Sequence, residues 1–127
     1  MARILVVDDA VFMRTILRDI LTEADHEVVG EAATGEDAVE RFSELRPDLV
    51  TMDLVMPGAG GIEALSRILD VDPDARVIIV SAVGQREDVE TALDVGASDF
   101  LTKPFDKEKV VATVESVLST VTGREAR

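Results

Sequence analysis

The 127-residue chain has no cysteine, no tryptophan, no tyrosine and a single histidine. Without thiols there are no disulfides, and zinc or iron–sulfur sites built on thiolates are excluded. Lysine is scarce: only Lys103, Lys107 and Lys109 stand among 13 basic residues. Basic charge as a whole is in deficit, 13 against 26 acidic residues, for a net charge of −13. A nucleic-acid binder needs the opposite footprint, so DNA and RNA are not expected partners. An acidic, lysine-poor surface suits a salt-accumulating cytoplasm, where screening suppresses self-repulsion. No apolar run approaches the ~18 residues of a membrane span, and no signal-peptide pattern opens the chain. The expectation is a cytoplasmic protein without membrane insertion, with its 46% apolar residues gathered in one core.

What is there alternates. Short apolar runs at Ile4–Val7, Glu27–Glu31, Leu49–Asp53, Val77–Val80 and Phe100–Thr102 predict strands. Helical spacing predicts helices over about Val11–Ala24, Thr34–Leu45, Ile62–Leu69, Glu87–Val95 and Lys107–Val121. In the first helix Phe12, Ile16 and Ile20 share a face, with Met13, Leu17 and Leu21 beside them. Thr34-Gly-Glu-Asp resembles a helix N-terminus, and Pro47 closes the helix that follows. This alternation predicts an α/β fold: a five-stranded parallel sheet, doubly wound and flavodoxin-like. Strands buried on both faces must be almost continuously apolar, which ILVV, LVTM and VIIV satisfy. The mixed second strand and the short fifth suit the edges, giving the order 2-1-3-4-5. In such a sheet, ligands bind outside the carboxyl ends of the strands near the switch between strands 1 and 3.

The residues at those ends are chemically specific. Strand 1 runs into Asp8 and Asp9, strand 3 ends in Asp53, strand 4 in Ser81, and strand 5 in Thr102, Lys103 and Pro104. Each has an ordinary alternative: Asp9 as a helix cap, Asp53 as a turn residue, Ser81 as a loop hydroxyl, Lys103 as a solvated charge. Their convergence from separate strands favours a shared cleft. Carboxylates crowded together call for a hard cation, and an all-oxygen donor set matches Mg²⁺. A phosphoryl group arriving there would meet the cation, an ammonium and a hydroxyl, and a carboxylate can itself accept it. Geometry leaves open which aspartate that is.

VVDD, MD followed by MP, SA and KPF resemble the receiver domain of two-component response regulators, from Ile4 to about Val121. VDDAVFMR, VTMDLVMPG and SAVGQ resemble its free-standing chemotaxis members. The resemblance implies a receiver domain over residues 1–122 and a short tail at 123–127. It implies Asp53 as phosphoacceptor, and Mg²⁺ held by Asp9, Asp53 and the Val55 carbonyl, with Asp8 acting through water. Lys103 would pair with Asp53 and later with the phosphoryl group, and Pro104 would follow a cis bond. Ser81 would bond the phosphoryl group and, with Phe100, form the switch. A chemotaxis-type (CheA-like) histidine kinase would be the donor, a motor switch or adaptor protein the target, and a separate phosphatase a further partner. Such a chain is not an enzyme beyond its own phosphorylation and slow dephosphorylation. A phosphorelay intermediate or phosphate sink of another pathway is the alternative.

The sequence departs from the family pattern in two places. Gly60 stands where Met-Pro-x-x-Asp-Gly would have an acidic residue, which bears on the start of the third helix. Val55 and Val83, flanking the expected phosphoryl position, cannot orient an attacking water, which implies slow self-hydrolysis. Two rivals fit less well. Phosphohydrolases with an aspartate nucleophile typically place a second aspartate two residues after the first on strand 1, where this chain has Ala10. A flavin mononucleotide carrier needs a hydroxyl- and glycine-rich loop there, which DDAVF is not, and Trp or Tyr to stack the flavin. His26 opens strand 2, far from the carboxyl edge, and reads as structural.

Overall fold

In the computed structural model, which describes residues 1–119, five strands alternate with five helices. These are β1 (Arg3–Val7), α1 (Val11–Glu23), β2 (Glu27–Ala32), α2 (Gly35–Leu45), β3 (Leu49–Asp53), α3 (Gly61–Val71), β4 (Val77–Ala82), α4 (Arg86–Val95), β5 (Asp99–Lys103) and α5 (Lys107–Ser119). All neighbouring strands pair in parallel, in the expected order β2-β1-β3-β4-β5. Val121 and the tail at 123–127 lie outside the described residues.

Strand pleating sorts the core into two layers. Leu5, Val7, Val50, Met52, Val77 and Ile79 project to one face and meet α2, α3 and α4 through Phe42, Leu65, Ile68 and Ala92. Ile4, Val6, Leu49, Ile78, Val80 and Leu101 project to the other and meet α1 and α5 through Leu17, Leu21, Val110, Val114 and Val117. Side chains alternate faces along a strand, so apolar residues at every position are what coverage on both sides requires.

Local signals set several boundaries. The Thr34 hydroxyl accepts from the Asp37 N–H at 3.1 Å and caps α2. Arg46, with φ of 47°, ends that helix in the left-handed region just ahead of Pro47. β4 runs beyond Val80 to Ala82 because Ser81 and Ala82 continue to pair with Thr102 and Lys103. In α1, Leu17 and Leu21 are buried, but Phe12 is 72% exposed and so departs from the expected apolar face. It lies in the first turn, where the chain has only just left the rim of the sheet. His26 is buried as expected, accepting from the Ala2 N–H at Nδ1 (3.0 Å) and meeting Glu115 at Nε2 (2.9 Å).

Thr51, in the middle of β3 and fully buried, has the one buried side-chain polar atom without a hydrogen-bond partner among the described residues. A desolvated hydroxyl with no partner opposes folding. Thr51→Val is therefore expected to raise unfolding stability by about 1 kcal/mol in urea titration.

Candidate functional site

β1 and β3 are in register with Val7 opposite Met52, so the next residues, Asp8 and Asp53, come level at the carboxyl rim. Ser81 and Lys103 reach the same rim at the ends of β4 and β5. Oxygens of Asp8, Asp9 and Asp53 all lie within 4.8 Å of one another. The Lys103 ammonium lies 3.1 Å from Asp8 Oδ2 and 3.6 Å from Asp53 Oδ1, so it bridges both carboxylates and is nearer Asp8. The Lys103–Pro104 bond is cis, as expected.

The three aspartates differ in environment. Asp8 is 1% exposed; its Oδ1 accepts from the Ala10 N–H at 2.9 Å and its Oδ2 from Lys103. Asp9 is exposed, and its side chain makes no hydrogen bond or ion pair among the described residues. It does not cap α1, whose N-cap is Ala10 with no side-chain bond. Asp53 is buried, and its pKa is raised above the ordinary carboxylate value. Desolvation is the main cause, followed by repulsion from Asp8; Lys103 opposes the rise, Asp9 adds to it, and the Val55 backbone N–H bonds the carboxylate and opposes it.

Ser81 is 2% exposed, and its hydroxyl donates to the Leu101 carbonyl at a long 3.5 Å. Beside it Ser81, Val83, Val89, Leu93, Phe100 and Thr102 help to line a groove of about 540 Å³. Phe100 is 40% exposed there, and Val55 and Val83 are exposed on the rim loops.

α3 begins at Gly61 although Gly60 offers no side-chain cap. The Gly61 N–H donates to the Leu54 carbonyl at 2.9 Å, and Glu36 at the start of α2 accepts from the Ala59 N–H at 3.2 Å. A Cβ on Gly61 would stand 2.3 Å from the Asp53 carbonyl oxygen, so this approach needs glycine. Two further contacts were not foreseen: Arg14 bonds the Asp8 carbonyl, and Glu31 holds Arg14. Their separations of 6 and 17 residues place them outside any local motif.

The donor set is all oxygen, partly buried and only partly balanced by one ammonium, which fits Mg²⁺. Comparison with known proteins agrees. The family described as the response regulator receiver domain matches residues 4–115. The chain is 50% identical to the chemotaxis protein CheY of Thermotoga maritima over 91% of its own length and 96% of that protein. It is 51% identical to protein CcdB of Bacillus subtilis, over 93% and 98% of the two chains. Among solved structures, CheY in the CheX–CheY–BeF3–Mg²⁺ complex from Borrelia burgdorferi superposes with a TM-score of 0.89 at 39% identity, covering 93% and 90% of the chains.

A carboxylate whose pKa is raised on folding weakens the native state once it ionises, so its contribution falls as pH rises from the ordinary value through the raised one. Asp53→Asn is thus expected to stabilise the Mg²⁺-free protein at pH 7. The gain should shrink below about pH 4, where the carboxyl is neutral folded or unfolded. Denaturant unfolding in chelator at both pH values checks the sign.

Proposed function

The chain belongs to the response regulator receiver family, and we propose that it works as a chemotaxis-type switch phosphorylated on Asp53. The observation that carries this reading is the convergence of Asp8, Asp9 and Asp53 on one point beside Lys103 and Ser81. In the proposed reaction an Asp53 oxygen bonds to phosphorus as the P–N bond of a phosphohistidine on a CheA-like kinase breaks. Asp9, Asp53 and the Val55 carbonyl would hold Mg²⁺, and Asp8 would act through water. Mg²⁺ supplies neutralisation of the carboxylates and of the phosphoryl oxygens. Lys103 moves its contact from Asp53 to the phosphoryl group, and the Ser81 hydroxyl exchanges its long bond to Leu101 for a phosphoryl oxygen.

Ser81 and Phe100 then form the switch, because they border the same groove. Phosphorylation adds charge and acceptor oxygens at one end of that groove and favours one arrangement of the Phe100 ring. Reversing a 99:1 preference takes about 5.5 kcal/mol of differential interaction. The α4–β5–α5 face would carry the result to a motor switch or adaptor protein. Residues 1–122 would form the receiver, with 123–127 as a tail. The likeness to CheY bound in a CheX complex supports a protein partner. The second reading is a phosphorelay intermediate or phosphate sink of another two-component pathway. Onward transfer of the phosphoryl group to a second histidine would separate the two.

Intact-mass measurement with acetyl phosphate and Mg²⁺ is expected to show one phosphoryl group per chain. Chelator or Asp53→Ala should abolish it, and persistent labelling of Asp53→Ala would overturn the assignment. With exposed valines at 55 and 83, no side chain there orients water, so the phosphoryl group should outlast a timescale of seconds and a separate phosphatase would end the signal. A lifetime of seconds in the isolated protein contradicts that expectation.

A further inference from the structure

We infer that Arg14 is a positioning residue for the metal site: clamped by Glu31, it holds the Asp8 carbonyl and thereby aims Asp9 at the cation. This rests on the reading of the rim as a Mg²⁺ site. Arg14 Nη1 donates to the Asp8 carbonyl oxygen at 2.7 Å, while its Nε donates to Glu31 Oε1 at 2.9 Å. Glu31 also meets Arg18 through its second oxygen, so both its oxygens face guanidinium groups. On the other side of the same residue, the Asp8 N–H donates to the Ala32 carbonyl at 3.0 Å. Ala32 follows Glu31 in β2 and pairs with Val7 in the sheet. The loop leaving β1 is thus clasped at both polar groups of the Asp8 backbone by neighbouring residues of β2, one directly and one through Arg14.

The consequence falls on Asp9. Its carboxylate has no side-chain partner among the described residues, so its aim depends on the backbone that carries it. The Asp8 carbonyl oxygen lies in the planar peptide unit that ends at the Asp9 Cα. Fixing that oxygen with a charge-assisted bond fixes the plane, and with it the position of the Asp9 Cα from which the side chain departs. Arg14 is suited to this because its side chain is only 15% exposed and its fork can address two acceptors in different directions. A lysine ammonium keeps the charge without that geometry. Glu31 has a second effect: it engages the guanidinium away from the rim carboxylates, where a cation would compete with Mg²⁺.

The two possible roles of Arg14 have opposite signs. A plain counter-charge competes with Mg²⁺, so its removal would tighten metal binding. A positioning group, once lost, weakens it. Mg²⁺ titration by calorimetry on the full chain, without phosphodonor, reads this directly. Arg14→Ala and Arg14→Lys are expected to raise the Mg²⁺ dissociation constant on the order of 10-fold, the size seen when groups orienting metal ligands are removed. Glu31→Gln should raise it less. Circular dichroism melts in chelator report folding separately, and if Arg14→Ala does not fold, Arg14→Lys decides. Variants that fold and bind Mg²⁺ as tightly as wild type, or more tightly, overturn the positioning role while leaving the receiver reading intact. Wild-type protein that binds no Mg²⁺ overturns the metal site, and the role of Arg14 with it.

Discussion

Asp8 and Asp53 are both withdrawn from water at the rim of the sheet, and Lys103 is the cation that stands between them. One ammonium shared by two buried carboxylates leaves negative charge over, and Asp9 adds more from the solvent side. The rise in the Asp53 pKa is the record of that imbalance, because desolvation and repulsion outweigh the pull of Lys103. Much of the surrounding architecture follows from holding such groups together. Strands deliver them in register, glycine at 61 lets α3 approach the Asp53 backbone, and the Ala10 N–H and Lys103 occupy the two oxygens of Asp8. Asp8 is consequently fixed, whereas Asp9 keeps its oxygens available. A divalent cation held by those oxygens would relieve the excess charge.

The sheet was legible because burial on two faces leaves little choice of residue. ILVV, LVTM and VIIV became β1, β3 and β4, and the chemistry-bearing residues after them reached one rim as parallel topology requires. Where reading by period went astray, the cause was position along the element. Phe12 has the spacing of a core residue, yet it sits in the first turn of α1 and stays exposed. Spacing shows which residues share a face, and cannot show where the opposing surface stops. Arg14, Glu31 and Glu36 were illegible for a different reason. Each is an ordinary charged residue locally, and its role exists only through a partner that the fold brings near.

Gly60 shows how such a partner can replace a local signal. A side chain at that position would cap α3 from within its own loop, and glycine cannot. Glu36 reaches across from α2 to the Ala59 N–H, and its oxygens lie over Gly58, whose φ is +73°. A Cβ on the neighbouring Gly35 would come 2.2 Å from the Ala59 carbonyl oxygen, so α2 and the loop after β3 pack backbone against backbone. The helix starts on time because the loop is held from outside.

The same logic distinguishes the two sides of the rim. The loops after β1 and β3 are fastened by neighbouring elements, through Arg14 and Glu36. On the β4–α4 side the loop backbone is held, with Gln85 Oε1 accepting from the Ala82 N–H at 2.6 Å, but the Ser81 hydroxyl beside the groove is not held firmly. Ser81 has one bond at 3.5 Å, Val83 is 79% exposed, and the groove beneath α4 reaches Phe100. A negative group added at Asp53 would meet a stiff wall on one side and a yielding one on the other. Displacement would follow the softer direction, because interdigitated elements resist small shifts while a weakly bonded hydroxyl beside an open groove can change partner at little cost. Under the proposed phosphorylation, an asymmetry of this kind would give the charge change at Asp53 a direction in which to act, toward Phe100 and α4, before any partner is considered.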